Sequence, residues 1–251
     1  MTPRPLGLKL GSDALAHGAL QLDKYLIDDA PAVPATVTQP DPGYVWGMLA
    51  NDSYGDCVAA ALLHADESLY LKRGKQPTPY SASQALALYF NINGVPPGPA
   101  GSSSDQGTDP SVAMQYWTAK GFPGHKLAGF GQLPATSPNI RRAIWEFGTV
   151  IYAVALPTGA QSQGVNWRGN NLGAAGSWGG HGIAGNSFTS DLLGFVSWGE
   201  EGDMDNPFAT AYLEQVFVPL STDALSSAEV GPGGFKFAQM KADLPDPWNR
   251  S

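Results

Sequence analysis

Residues 51–65, NDSYGDCVAAALLHA, place the chain's single cysteine, Cys57, where a Gly/Asp turn meets an alanine-rich run. Asp56 is positioned to cap that run and Gly74 to stop it. Val58, Ala61, Leu62, Ala65 and Leu69 recur at i, i+3 and i+4 spacing, which predicts a core-facing helix over 56–73. Cys57 then stands at a helix N-terminus. The unpaired N–H groups there favour thiolate over thiol, and with an imidazolium nearby a cysteine pKa drops from about 8.5 into the range of roughly 3.5–7.5. Without such surroundings a lone cysteine is simply a small buried hydrophobe. A nucleophile at this position needs a base, an oxyanion hole and a cleft from the rest of the chain.

Four histidines are available as the base. His64 lies on the same helix, seven residues on and roughly 10 Å along the axis, which is too far and points to a structural role. His17, in a proline-rich stretch, and His125, in the turn GFPGHK, read as surface groups. His181 is different. The segment 177–201, SWGGHGIAGNSFTSDLLGFVSWGEE, contains two β-like runs around a Thr/Ser/Asp turn and predicts an antiparallel hairpin with His181 at the outer end of its first strand. The end of the second strand lies beside the beginning of the first, so residues 196–201 are placed to touch His181. Ser197 and Glu200 are both candidates to orient its ring.

Boundary signals organise the remainder. A second helix spans 81–91; a third is capped by Thr108 or Asp109, opens on Pro110 and ends at Gly121; a fourth starts at Ser137-Pro138 and stops at Gly148. Residues 126–133 and 213–220 read as strands, 150–157 as a buried strand, and Asn206-Pro207 and 222–227 as further helix starts. The polar loop 158–176 either lines a cleft with Trp167 or runs as plain surface. The acidic stretch 200–206, EEGDMDN, lacks the spacing of an EF-hand and reads as a solvated turn, so no metal or other cofactor is expected. Prolines 3, 5, 31, 34, 40 and 42 make 1–45 an extended arm, and 228–251 a comparable tail.

With 251 residues, 43% hydrophobic and 14% charged, the chain can bury a full core, while 31 Gly and 21 Pro predict many loops. A net charge of -8 without a Lys/Arg cluster argues against nucleic-acid or anionic-membrane surfaces. One cysteine excludes an internal disulfide framework, and no apolar run reaches the length of a membrane span or signal peptide, so a cytoplasmic location, or release by lysis, is expected.

The order Cys57, His181, then Ser197-Trp198-Gly199 resembles the papain-like cysteine peptidase superfamily. Asn51 stands six positions before Cys57, where that family carries the amide side chain of its oxyanion hole. GGHGIAG resembles the strand bearing the catalytic histidine, and VSWG resembles the family's Asn-Ser-Trp-Gly, with Val196 at the place of the orienting Asn. The pattern WGMxxNDxYGDC, followed by a later GGH, is similar to a papain-like group of bacterial and phage-borne proteins. The resemblance spans about Trp46 to Ser221. It implies an α+β, papain-like fold in which an N-terminal helix carrying Cys57 packs on an antiparallel sheet carrying His181, in a domain over 46–227. It further implies a Cys57/His181 hydrolase of peptide or amide bonds, with Asn51 in the oxyanion hole, Ser197 or Glu200 as orienter, and Trp198, Trp167 and Tyr54 around the substrate. The alternative is a virion-associated scaffold with little catalysis. Expected partners are a protein or peptide substrate and, through the arm and tail, other subunits.

Overall fold

The run VIYAVAL forms a strand whose side chains alternate between two cores. Val150, Tyr152, Val154 and Leu156 face one hydrophobic cluster, and Ile151 and Ala153 the other. A strand buried on both faces must have helices on both sides, and the computed structural model has that arrangement. It describes residues 4–9, 13–39, 41–122, 125–225 and 229–244.

In chain order the elements are β1 (Leu20–Gln21), α1 (Cys57–Lys72), α2 (Ala82–Asn93), α3 (Pro110–Ala119), β2 (Leu127–Leu133), α4 (Ser137–Phe147), β3 (Val150–Leu156), β4 (Asn166–Trp167), β5 (Gly179–Phe188), β6 (Leu192–Ser197), β7 (Glu200–Asp205), α5 (Asn206–Tyr212), β8 (Leu213–Ser221), α6 (Thr222–Leu225) and α7 (Phe237–Asp243). Among the described residues the strands form one sheet, ordered β1-β2-β8-β3-β5-β6-β7-β4, antiparallel except at its two parallel edge pairs. Helices α1, α2 and α3 pack on one face; α4, α5 and α7 contribute to the core on the other.

Most local signals act as the sequence predicts, but Asp56, which stands at the N-cap of α1, makes no side-chain capping bond, and both its carboxyl oxygens are buried without a partner. Ser81 and Gln84 form a reciprocal capping box on α2, Asp109 caps α3 ahead of Pro110, and Gly148 ends α4 in the left-handed conformation. Helix α1 is buried on nearly every side, more than its i, i+3, i+4 stripe requires. The acidic stretch differs from expectation: 200–205 is strand β7, paired along its length with β6. Its carboxylates are engaged one by one, Glu201 accepting from Trp46 Nε1, Asp203 pairing with Arg168, and Asp205 capping α5.

The proline-rich N-terminal stretch lies against its own chain. Leu20, Leu22 and Tyr25 enter the core, with Leu22 occupying the space that a Cβ on Gly131 would need. Phe235, Phe237, Met240 and Leu244 from the C-terminal end join the same cluster, and Leu26 bridges to Phe235.

One approach positions the functional residues. Helix α1 lies so close to β5 that a Cβ on Gly182 would sit 3.1 Å from Val58 Cα, tighter than an ordinary contact, so any side chain here pushes the two elements apart. A Gly182→Leu chain is expected to lose about 1–3 kcal/mol through overpacking, read as a lower urea midpoint. An unchanged midpoint would show that the two elements separate without cost.

Candidate active site

The start of α1 and the outer end of β5 bring Cys57 and His181 to the same place, although they are 124 positions apart in sequence. Gly182 N–H donates to Cys57 Sγ at 3.4 Å. His181 Nε2 lies 2.7 Å from Ser197 Oγ, and its Nδ1 has no protein partner. Of the two candidate orienters, Ser197 makes the contact. Val196 and Ser197 are neighbours on β6 and face opposite sides of the sheet. Val196 is buried with Trp46 and Leu71, so its position in this register could not present a side chain to His181. Glu200 is opposite Ser197 across the β6/β7 pair, yet its carboxylate turns outward to Arg4 Nη2 at 3.3 Å.

Trp198 covers the imidazole, its ring stacked at 4.2 Å and 17°. This placement requires a positive φ of 52° at Trp198, followed by Gly199 at 72°. Positive φ is costly for a bulky residue and is retained here beside the candidate chemistry. Two more such residues, Leu49 (φ 59°) and Ala50 (φ 69°), immediately precede Asn51. They form the turn that buries Asn51, with its Oδ1 unpartnered, just before the start of α1. His64 supports that turn from below: its Nε2 meets Gly47 O at 2.9 Å, and burial holds its pKa down at about 4. It is a structural group, as its spacing from Cys57 predicts.

Of the two further aromatic residues expected around the substrate, Trp167 lies in the core, and Tyr54 is half-buried just before Gly55. Trp167 belongs to the core, stacked between Phe195 at 4.6 Å and Phe208 at 5.3 Å, and reaches His181 only edge-on from behind at 6.5 Å. Tyr54 packs edge-on against Phe90.

Residues 4–9 complete the site, a role the sequence reading did not assign to them. Leu8 N–H donates to Gly180 O at 3.1 Å, Thr108 N–H to Gly7 O at 2.6 Å, and Lys9 N–H to Thr108 O at 3.0 Å. Arg4 lies over the Trp198 ring at 4.7 Å. Asp105 fixes the opposite wall, its Oδ1 accepting from Gly55 N–H and Tyr89 OH and its Oδ2 from Gly101 N–H. Under this cover Cys57 and His181 are both fully buried.

Burial determines the electrostatics. It pushes the Cys57 thiol up to about 11, assisted by the Asp56 carboxylate, while N–H groups of Gly182, Gly7 and Val58 pull less strongly the other way. His181 is held down at about 3, first by burial and then by the Arg4 charge. The helix start expected to favour thiolate is present, but desolvation outweighs it. With the segment in place the pair is a neutral thiol and a neutral imidazole.

Among the described residues no group of three or more His, Cys, Asp or Glu side chains is gathered to hold a metal, and no helix is long and apolar enough to cross a membrane.

No family model matches the chain, and no curated protein matches it in sequence. Solved structures do. Xylellain, a cysteine protease from Xylella fastidiosa, superposes with a TM-score of 0.66 at 12% identity, over 88% of this chain and 97% of that one. The fold is papain-like. The Carica candamarcensis cysteine protease CMS1MS2, in complex with E-64, matches with a TM-score of 0.52 at 14% identity, over 75% of this chain and 99% of its own. Procathepsin L 3 of Tenebrio molitor larval midgut matches at 0.54 and 13%, over 87% and 76%. This papain-like chain thus has its cysteine on the first long helix and its histidine on the sheet packed against it.

The buried titratable groups give the fold a defined pH response. His64 and His181, depressed from 6.5, take up protons in the unfolded chain before the folded one, so they oppose folding only below about pH 6.5. Burial raises Asp56 to about 8 and Glu67 to about 7, and raises Asp66 and Glu146 too. These carboxyls hold protons in the folded state that the unfolded chain has released, a contribution lost as pH rises through their folded values. Above pH 6.5 the carboxyls dominate, and the raised Cys57 thiol acts in the same direction toward the upper end of the range. The unfolding free energy from urea titrations is expected to fall between pH 6.5 and 8.5, and to fall less in an Asp56→Asn chain. A flat profile, or identical profiles for the two chains, would contradict this.

Proposed function

We propose that the chain is a cysteine hydrolase of peptide or amide bonds that stays latent while residues 4–9 occupy its cleft. The observation that carries this reading is the hydrogen-bond contact of His181 Nε2 with Ser197 Oγ, next to a sulfur held by Gly182 N–H at the start of α1. When Nε2–H donates to Ser197, the lone pair of the neutral ring lies on Nδ1, the nitrogen that has no protein partner.

With the segment displaced, water reaches the pair, and the desolvation that raises the thiol and lowers the imidazole is relieved. His181 Nδ1 takes the Cys57 proton, and the thiolate attacks the carbonyl carbon and forms a C–S bond. The resulting oxyanion is stabilised by Cys57 N–H and the Asn51 amide. Collapse of this intermediate breaks the C–N bond as His181 returns the proton to the leaving amine. A water molecule, deprotonated by His181, then attacks the thioester carbon. Cleavage of the C–S bond releases the acid and restores the thiol. Trp198 shields the imidazole throughout.

A second reading, a scaffold within a larger assembly that carries out little or no catalysis, is favoured by the complete burial of both reactive groups. An opened chain separates the two. A Cβ on Gly7 would collide with Gly55 O, so a full-length Gly7→Val chain cannot keep the segment in place. This chain is expected to be labelled at Cys57 by E-64 and to cleave casein, with the intact chain far slower. Both activities should disappear in Cys57→Ser and His181→Ala backgrounds. Asn51→Ala should lower turnover by roughly 10²–10³, and Ser197→Ala by less than His181→Ala. An opened chain that alkylates at Cys57 but hydrolyses nothing would support the scaffold reading.

A further inference from the structure

The covering segment reports what the cleft accommodates. Gly7 lies against two adjoining glycines of the cleft, where a Cβ on Gly7 would meet Gly55 O and a Cβ on Gly107 would meet Gly7 O. Gly107 also holds a φ of 75°, where a side chain is strained whatever the space. The slot is therefore only as wide as two backbones in contact. Side-chain space opens on either side of it. Leu6 fills the space beside Gly179, its Cδ1 3.0 Å from where a Cβ would be, and is partly buried against the main core. Leu8 is 8% exposed, joins the cluster on the α1 face, and crosses Gly180 with its oxygen 2.5 Å from the missing Cβ. The backbone bonds of Gly7, Leu8 and Lys9 to Thr108 and Gly180 hold the segment extended.

We infer that the cleft over Cys57 recognises an extended peptide with a glycine between two branched aliphatic residues, of the Leu-Gly-Leu type, and that residues 4–9, RPLGLK, are its resident ligand. The resident is a ligand and not a substrate because of what it presents to the sulfur. Gly7 offers its amide N–H to Cys57, and its carbonyl oxygen is bound to Thr108 rather than to Cys57 N–H and Asn51. The Gly7 carbonyl is therefore turned to Thr108 and not presented to the oxyanion donors. A second peptide of the same kind must displace the first, so opening and recognition are one competition. Arg4, held by Trp198 and Glu200, gives the resident an anchor outside the slot.

The extension from ligand to substrate class rests on the proposed hydrolase reading, whereas recognition itself is measurable without turnover. Opening is read first, as the rate of Cys57 alkylation in full-length Gly7→Val and Arg4→Glu chains. The first removes the fit in the slot and the second the anchor, and both are expected to alkylate faster than the intact chain. Peptide binding is then read by fluorescence anisotropy in the same chains carrying Cys57→Ser, with labelled RPLGLK as probe. The probe is expected to bind the opened chains at least about tenfold more tightly than the closed one, and a peptide with alanine for its glycine at least about tenfold more weakly than the probe. Replacing either leucine by serine should also weaken binding. Equal affinity for the glycine and alanine peptides would overturn the inference, as would no binding to a chain whose Cys57 has become reactive, or a Cys57 no more reactive in either variant. Glycine-selective binding without any E-64 labelling or hydrolysis would leave the recognition standing and defeat the hydrolase reading alone.

Discussion

The site depends on how closely the start of α1 approaches β5. Gly182 has no side chain, so Val58 occupies the space its Cβ would need, and the Gly182 peptide N–H donates to Cys57 Sγ. A buried N–H without a partner costs about 1–3 kcal/mol, so sulfur and amide stabilise each other's position. From this contact the rest follows along β5 and its neighbour. His181 is one residue away, Ser197 meets its far nitrogen, and the left-handed turn at Trp198 and Gly199 folds an indole over the ring. Each step uses the strand period of two to decide which side chain faces the site.

The second constraint is solvent exclusion. A cysteine at a helix start next to a histidine has two opposing influences on its charge. The dipole and the imidazolium favour thiolate, and burial favours thiol. In this chain burial prevails because residues 4–9 cover both groups and Arg4 adds a positive charge beside His181. The same residues that would generate a nucleophile in an open cleft remain a neutral pair in a closed one. On the proposed hydrolase reading, control of the chemistry lies in the cover and not in the pair.

Much of this was legible in the sequence. The helix carrying Cys57 and the hairpin carrying His181 follow from glycine stops and strand alternation, both short-range signals, while the choice of Ser197 over Glu200 beside His181 did not. Other features had no local mark. EEGDMD has poor strand propensity and forms β7 only because β6 offers it a full ladder, with each carboxylate finding a separate partner. Trp167 sits in a polar loop, and nothing near it in sequence shows that Phe195 and Phe208 take it into the core. The proline-rich start reads as an arm, yet its glycine and leucines match a slot built by Gly55, Gly107 and Gly180. The resulting reversal of the expected cysteine and histidine charges could not be foreseen without that long-range fit.

The central claim, that the cover keeps a catalytic-type pair neutral, is tested most directly by the imidazole resonances of His181 followed by NMR across the pH range. The account predicts that in the intact chain the ring stays neutral down to about pH 3, and that in the Gly7→Val chain it titrates above its ordinary 6.5 once it shares a proton with Cys57. A His181 that titrates near 6.5 in the intact chain, or identically in both chains, would contradict it.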